Sequence, residues 1–257
     1  MDYVTYSIEA HIAEITMLKP PANALSSKVL AELSGILDVL ENDTDVRVIL
    51  LKGEGRFFSA GADIKEFTGI ESGEEFSELA AKGQRLFERI EQFSKPVIAA
   101  IHGAALGGGL ELAMACHIRL VSKTAKLGLP ELQLGLVPGF AGTQRLPRYV
   151  GTAKAAEMLL TSEPITGAEA ASAGLANSAY EEEELFGKAR ELAAKIAKKS
   201  PVAVKAAINL LNYSKHDNFY KGVEKEAESF GTVFVTEDAK EGISAFIDKR
   251  EPVFKGR

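Results

Sequence analysis

Two short apolar runs, at 46–51 and 96–101, constrain the fold of this chain more than any other feature. A strand with one wet face alternates apolar and polar residues. A run without alternation needs cover on both faces, and helices commonly supply it. The surrounding sequence offers such helices. Ser26 or Ser27 is the expected cap of a helix running to Glu41, with Val29, Leu30, Leu33, Ile36, Leu37 and Leu40 on one side. A second amphipathic helix is predicted over 74–93, with Phe76, Leu79, Leu86, Phe87 and Ile90 facing inward. Residues 12–17 read as another strand, followed by a Pro-Pro turn. Strand–helix–strand alternation predicts an α/β core with parallel pairing.

Past Ser122, glycine and proline become dense, at Gly128, Pro130, Gly135, Pro138, Gly139 and Gly142. That predicts a long loop-rich section, a kind of segment that often carries function. From Glu181 onward the pattern is helical. Pro201 suits the first position of a helix behind Ser200, and Thr236 is the expected cap of a last helix with Ile243, Phe246 and Ile247 as its apolar side. A boundary is expected near Lys199, dividing a core of 1–199 from a C-terminal helical region of 200–257. No internal repeat stands out.

Composition removes several function classes. Hydrophobic residues are 46% of the 257, enough for a core without disulfides, and the one cysteine, Cys116, excludes an intrachain disulfide or a multi-cysteine metal cluster. His11, His102, His117 and His216 lack metal-binding spacing, so no metal is expected. The net charge of −6 argues against a nucleic-acid surface but leaves a small anionic ligand open. The N-terminal residues lack the basic start and apolar run of a signal peptide, and no apolar stretch is long enough for a bilayer. No membrane partner is expected, and the cytoplasm is the expected location.

Two glycine clusters carry the chemistry. HGAALGGGLE, at 102–111, follows the second buried strand and opens a helical run; glycines there permit a sharp turn and a close approach of ligand to backbone. A helix beginning at those glycines would aim unpaired N–H groups and a positive dipole end into the turn. A tight strand-to-helix connection with close packing is the alternative explanation of the glycines. Gly103 and Gly108 have Walker spacing, but Gly109-Leu110 follows where Lys and Ser or Thr are needed; Gly53 and Gly55 begin a dinucleotide fingerprint, but Phe58 holds the third glycine's place. The other cluster, FFSAGADIK at 57–65, offers backbone N–H groups near Gly61-Ala62 and a cation at Lys65, yet no G-x-S-x-G elbow surrounds Ser59. Glu111 and Glu131 both lie among apolar neighbours, where an ionisable group is paired or functional. Whether they converge is not legible locally.

FSAGADIKEF at 58–67, KPVIAAIHGAALGGGLELA at 95–113, GLPELQLGLVPGFAGTQRL at 128–146 and EDAKEGISAFIDK at 237–249 together resemble the crotonase superfamily, and most closely enoyl-CoA hydratases. The resemblance covers essentially the whole chain. It implies a Clp protease-like spiral of β-β-α units with a C-terminal helical region that builds homotrimers, often paired into hexamers. It implies an acyl-CoA thioester substrate, no cofactor beyond the coenzyme A of that substrate, and reversible syn addition of water to a trans-2-enoyl-CoA, as in fatty-acid β-oxidation. Glu111 and Glu131 fall on the catalytic carboxylates, and the amides of Ala62 and Gly108 on the oxyanion hole. Ala62, Asp63, Ile64, Lys65 and Gly108 fall on the coenzyme A site, with Phe230 and Lys249 contacting that ligand from a neighbouring subunit. Leu129, where several hydratases carry glutamine, and His102, where many carry asparagine, depart from the pattern and leave the acyl preference open. The alternatives are an enoyl-CoA isomerase, a hydratase specialised for branched or carboxylated chains, and an RNA-binding relative, which the acidic balance disfavours.

Overall fold

The computed structural model describes residues 2–69, 72–214, 232 and 236–257. Its main sheet has six strands in the order β1 (Val4–Glu9), β2 (Ile12–Met17), β3 (Val48–Gly53), β4 (Val97–Ile101), β6 (Ile118–Ser122) and β9 (Ser178–Tyr180). All neighbours pair in parallel except β1 with β2. The uniform runs are explained by cover on both faces. Ile49 and Leu51 of β3 join Val97, Ala99 and Ile101 of β4 in a core under helix α1 (Ser27–Asn42). Val48, Leu50, Ile98 and Ala100 point the other way, onto Leu185, Ala189, Ala193 and Ala197 of helix α6 (Glu182–Ala197). Successive side chains on a strand alternate faces, so each layer takes every second residue.

α1 follows its sequence pattern closely: Ser26 caps it, accepting from the Val29 amide, and all six expected apolar residues are buried. Helix α2 (Gly73–Glu91) buries Leu86, Phe87 and Ile90, while Leu79 is half-buried and the Phe76 side chain lies outside the described residues. β1 was not expected. It is an edge strand with only Val4 buried, so no apolar signal marks it. The loop-rich section also holds more order than expected, namely helix α4 (Gly142–Thr161), which contains Pro147 and a non-helical Gly151. Those two residues hide the helix from a propensity reading.

The expected spiral is present as strand–strand–helix units. β4 in the main sheet is followed by β5 (Ala104–Leu106) in a small three-stranded sheet and then by helix α3 (Gly108–Ala115). β6 is likewise followed by β7 (Lys126–Gly128) beside β5, and then by α4. The small sheet is completed by β8 (Ile165–Thr166), and helix α5 (Gly167–Ser172) follows it. This arrangement stacks the ends of β5 and β7 side by side, the Gly107 amide donating to Gly128 O at 2.9 Å.

Helix α7 (Pro201–Ser214) starts at the expected proline, and helix α8 (Glu237–Ile247) at Thr236, whose hydroxyl accepts from the Ala239 amide. The buried Asp238 accepts from the amides of Lys255 and Gly256, and Arg47 donates to Ala197 O and Phe254 O, so the tail is tied both to α8 and to the core. Replacing Asp238 with alanine removes the charged acceptor that ties the tail to α8. The expected cost is roughly 2 kcal/mol, read as a lower urea midpoint with an unchanged slope.

Candidate active site

The segment after β3 lies along β5: the Ser59 amide donates to Ala104 O and the Leu106 amide to Ser59 O. Ser59 is fully buried, and its hydroxyl donates to Asn23 O while accepting from the Gly61 amide. It braces the loop rather than acting as a nucleophile. Gly61 has φ +102°, and a Cβ there would stand 2.8 Å from Leu106 O, so only glycine fits. Beyond it the chain pairs with Leu25 through Gly61 O and the Asp63 amide. That pairing uses the groups on either side of Ala62 and turns the Ala62 N–H away from Leu25.

Gly108 is the first residue of α3, so its N–H has no carbonyl one turn back to bond. A Cβ on Gly108 would lie 3.3 Å from Ala62 N. The two loops therefore place two outward amides next to each other at the positive end of a helix.

Glu111, in the first turn of α3, is buried, and its Oε1 accepts from the amides of Phe140 at 2.8 Å and Gly142 at 2.7 Å. Ala141 between them has φ +69°, the left-handed conformation that makes alternate N–H groups converge on one anion. A side chain on Gly142 would displace Glu111, since its Cβ would meet that same oxygen at 2.8 Å. Arg145 fixes this turn from behind, donating to Phe140 O and to Glu91 of α2. Glu131 opens the short 310 turn Glu131–Leu134, with Oε1 2.9 Å from where a Gly107 Cβ would stand. Its Oε2 is buried and makes no hydrogen bond among the described residues.

Burial, then the charge of Glu131, pushes the Glu111 carboxyl up to about 7 against the pull of the two amides and Arg145; burial also raises Glu131. Glu111 can thus exchange a proton near neutral pH, and Glu131 holds its proton more firmly than an ordinary glutamate. Ala62, Gly108, Glu111 and Glu131 all line one pocket whose other walls are apolar, among them Ile64, Leu79, Leu136, Val137 and Phe140. The two carboxylates are the only charged residues lining it among the described residues. Such a site can polarise a carbonyl at the amides while two carboxyl groups handle protons on adjacent carbons.

The remaining candidates are less central. Asp63 is ion-paired with Lys19, which holds its carboxyl below the usual range, and Lys65 is exposed on the 310 turn Ile64–Gly69. Lys249 is exposed just past α8 and does not line the pocket; Phe230 lies outside the described residues. Leu129 is buried against the Gly142 turn, and His102 braces Gly55 O through Nε2. Cys116 is buried, its thiol pushed up to about 12, which makes it inert. Among the described residues no His/Cys/Asp/Glu cluster could hold a metal, and no helix is long and apolar enough to cross a membrane. Sequence reasoning missed the Phe140–Gly142 cradle and Arg145. A buried arginine leaves no local mark, and the cradle is main chain.

Residues 7–257 match a family model described as Enoyl-CoA hydratase/isomerase. A Bacillus subtilis (strain 168) protein named "Probable enoyl-CoA hydratase" is 57% identical over the full length of both chains. A short-chain-enoyl-CoA hydratase of Clostridium acetobutylicum is 43% identical, over 95% of this chain and 94% of its own. The crystal structure of an enoyl-CoA hydratase from Bacillus anthracis superposes with a TM-score of 0.95 at 37% identity, covering both chains entirely.

Proposed function

The chain belongs to the enoyl-CoA hydratase/isomerase family, and from that premise we propose that it adds water across the double bond of a trans-2-enoyl-CoA to give a 3-hydroxyacyl-CoA. The observation that carries this reading is the pair of raised carboxyl groups, Glu111 and Glu131, in one apolar pocket with the outward amides of Ala62 and Gly108. The thioester oxygen docks on the amides, which drains electron density from the β-carbon. The coupled carboxyls share one proton, and in the reactive form it sits on Glu131; Glu111, as carboxylate, takes a proton from water as its oxygen bonds the β-carbon. The π electrons move to the thioester oxygen as an enolate, and Glu131, as carboxylic acid, protonates the α-carbon as the carbonyl re-forms. Fixed donors at such an oxygen are worth roughly 3–4 kcal/mol each. The water oxygen and one of its protons end on the β-carbon as a hydroxyl, the α-carbon carries the proton from Glu131, and the second water proton, now on Glu111, returns to Glu131 through solvent to reset the pair. No cofactor takes part.

Isomerisation needs a single proton shuttle. Two raised carboxyl groups flanking one pocket favour hydration. Asp63, Ile64 and Lys65 follow the Ala62 amide outward and are assigned to the coenzyme A portion, with Lys65 near phosphate. Phe230 and Lys249 are assigned to contacts from a neighbouring subunit, and region 200–257 to assembly of a trimer or paired trimers.

A panel of crotonyl-, longer straight-chain and branched enoyl-CoAs tests the reading. Loss of the conjugated-thioester absorbance is expected without added metal or nucleotide. Protein inert across the panel would overturn it.

A further inference from the structure

The Phe140 side chain has no part in holding Glu111, which its amide does, yet its ring lines the same pocket. The ring is gripped between two glycines. A Cβ on Gly83 of α2 would lie 2.3–2.9 Å from its Cε1, Cδ1 and Cζ, and a Cβ on Gly108 would lie 3.1–3.2 Å from Cε2 and Cδ2. Behind it stands Phe87, edge-on with ring centroids 5.2 Å apart. Phe140 and Phe87 are both buried, so the ring is hemmed in by α2, α3 and Phe87 and can give way only toward the pocket it lines. It therefore fills the space between α2 and the start of α3, directly beside the amide at which the thioester oxygen docks.

Resting on the hydratase reading, we propose that Phe140 is a specificity-determining residue that ends the acyl subsite and restricts it to short, uncharged chains. An acyl tail running inward from the reacting carbons meets the ring after a few methylenes. A terminal carboxylate would face Glu111 and Glu131 with no cation lining the pocket among the described residues, and a buried anion without a partner is strongly rejected.

The experiment compares kcat/KM of wild type, Phe140→Ala, Phe140→Leu and Gly83→Ala on crotonyl-, hexenoyl-, octenoyl- and decenoyl-CoA, and of wild type on 2,3-dehydroadipyl-CoA. Wild type is expected to favour crotonyl-CoA. Phe140→Ala should raise the decenoyl-to-crotonyl ratio at least about tenfold, chiefly through KM for the long substrate, since a methylene in an apolar pocket is worth about that much. Phe140→Leu, which leaves less of a cavity, should shift the ratio the same way by less and carries the test if the alanine variant does not fold. Gly83→Ala pushes the ring toward the pocket and should lower the hexenoyl-to-crotonyl ratio. Unchanged ratios in folded variants, or wild type turning over decenoyl-CoA as well as crotonyl-CoA, overturn the assignment of Phe140. Turnover of 2,3-dehydroadipyl-CoA equal to crotonyl-CoA overturns the restriction to uncharged chains. Wild type inert on every substrate overturns the hydratase reading itself, and this inference with it.

Discussion

Glu111→Gln is expected to lose roughly a thousandfold in turnover of crotonyl-CoA and, at about pH 8, to unfold at a higher temperature than wild type. The two effects share one cause. Glutamine keeps an oxygen for the amides of Phe140 and Gly142, so the cradle stays occupied, but it cannot take a proton from water. The Glu111 carboxyl is raised from 4.5 to about 7 in the folded protein. A raised carboxyl stabilises the fold in its protonated form: that contribution is fully present below the unfolded value and is lost as pH rises through about 7. Above that point the fold holds a buried charge, and the shift corresponds to about 3 kcal/mol. Glutamine is neutral throughout. Thermal melts from about pH 5 to pH 8 should show the variant's advantage growing with pH, and a pH-independent difference would contradict the shift. Activity moves with the opposite sign: wild-type kcat/KM should fall as pH drops through about 7, where Glu111 becomes protonated. Glu131→Gln is expected to lose a similar factor through the missing proton donor.

Gly108→Pro is expected to lower kcat at least a hundredfold, and Gly108→Ala to lower it much less. Both variants add a Cβ, and only proline also replaces the N–H with a ring carbon. Gly108 is the first residue of α3, the helical position that accepts proline most readily, so the fold tolerates the change while the donor disappears. Alanine keeps the donor. Its Cβ sits 3.1 Å from the Phe140 ring and 3.3 Å from Ala62 N, tight but adjustable. Steady-state kinetics on crotonyl-CoA, with circular dichroism to verify folding, give the answer. Equal activity in the two variants would remove the Gly108 amide from the mechanism.

How much of this was legible in the sequence depended on whether a feature is written in side chains. The six apolar residues of α1, its serine cap and the two-faced burial of β3 and β4 are side-chain patterns with fixed periods, and each reads directly. Glu111 also stood out, as a charge set between Leu110 and Leu112 behind three glycines. β1 was illegible because an exposed edge strand needs no apolar period, and α4 because a proline and a non-helical glycine interrupt it. The convergence of Glu111 with Glu131 depends on β5 and β7 lying side by side, a long-range pairing that no local window contains. The cradle from Phe140 to Gly142 is harder still. Its working parts are two amides and a left-handed alanine, and alanine gives no hint of that conformation.

The same cradle has a consequence for heredity. Because Glu111 is held by main-chain groups, its partners are not encoded by the side chain of any codon at position 140. A mutation there to any smaller residue but proline can trim the ring and still pass on the amide that holds the base. Pocket size is thus open to single-step change, whereas the base's own contacts alter only when the backbone does. Selection can retune what such a site accepts without first dismantling how it works.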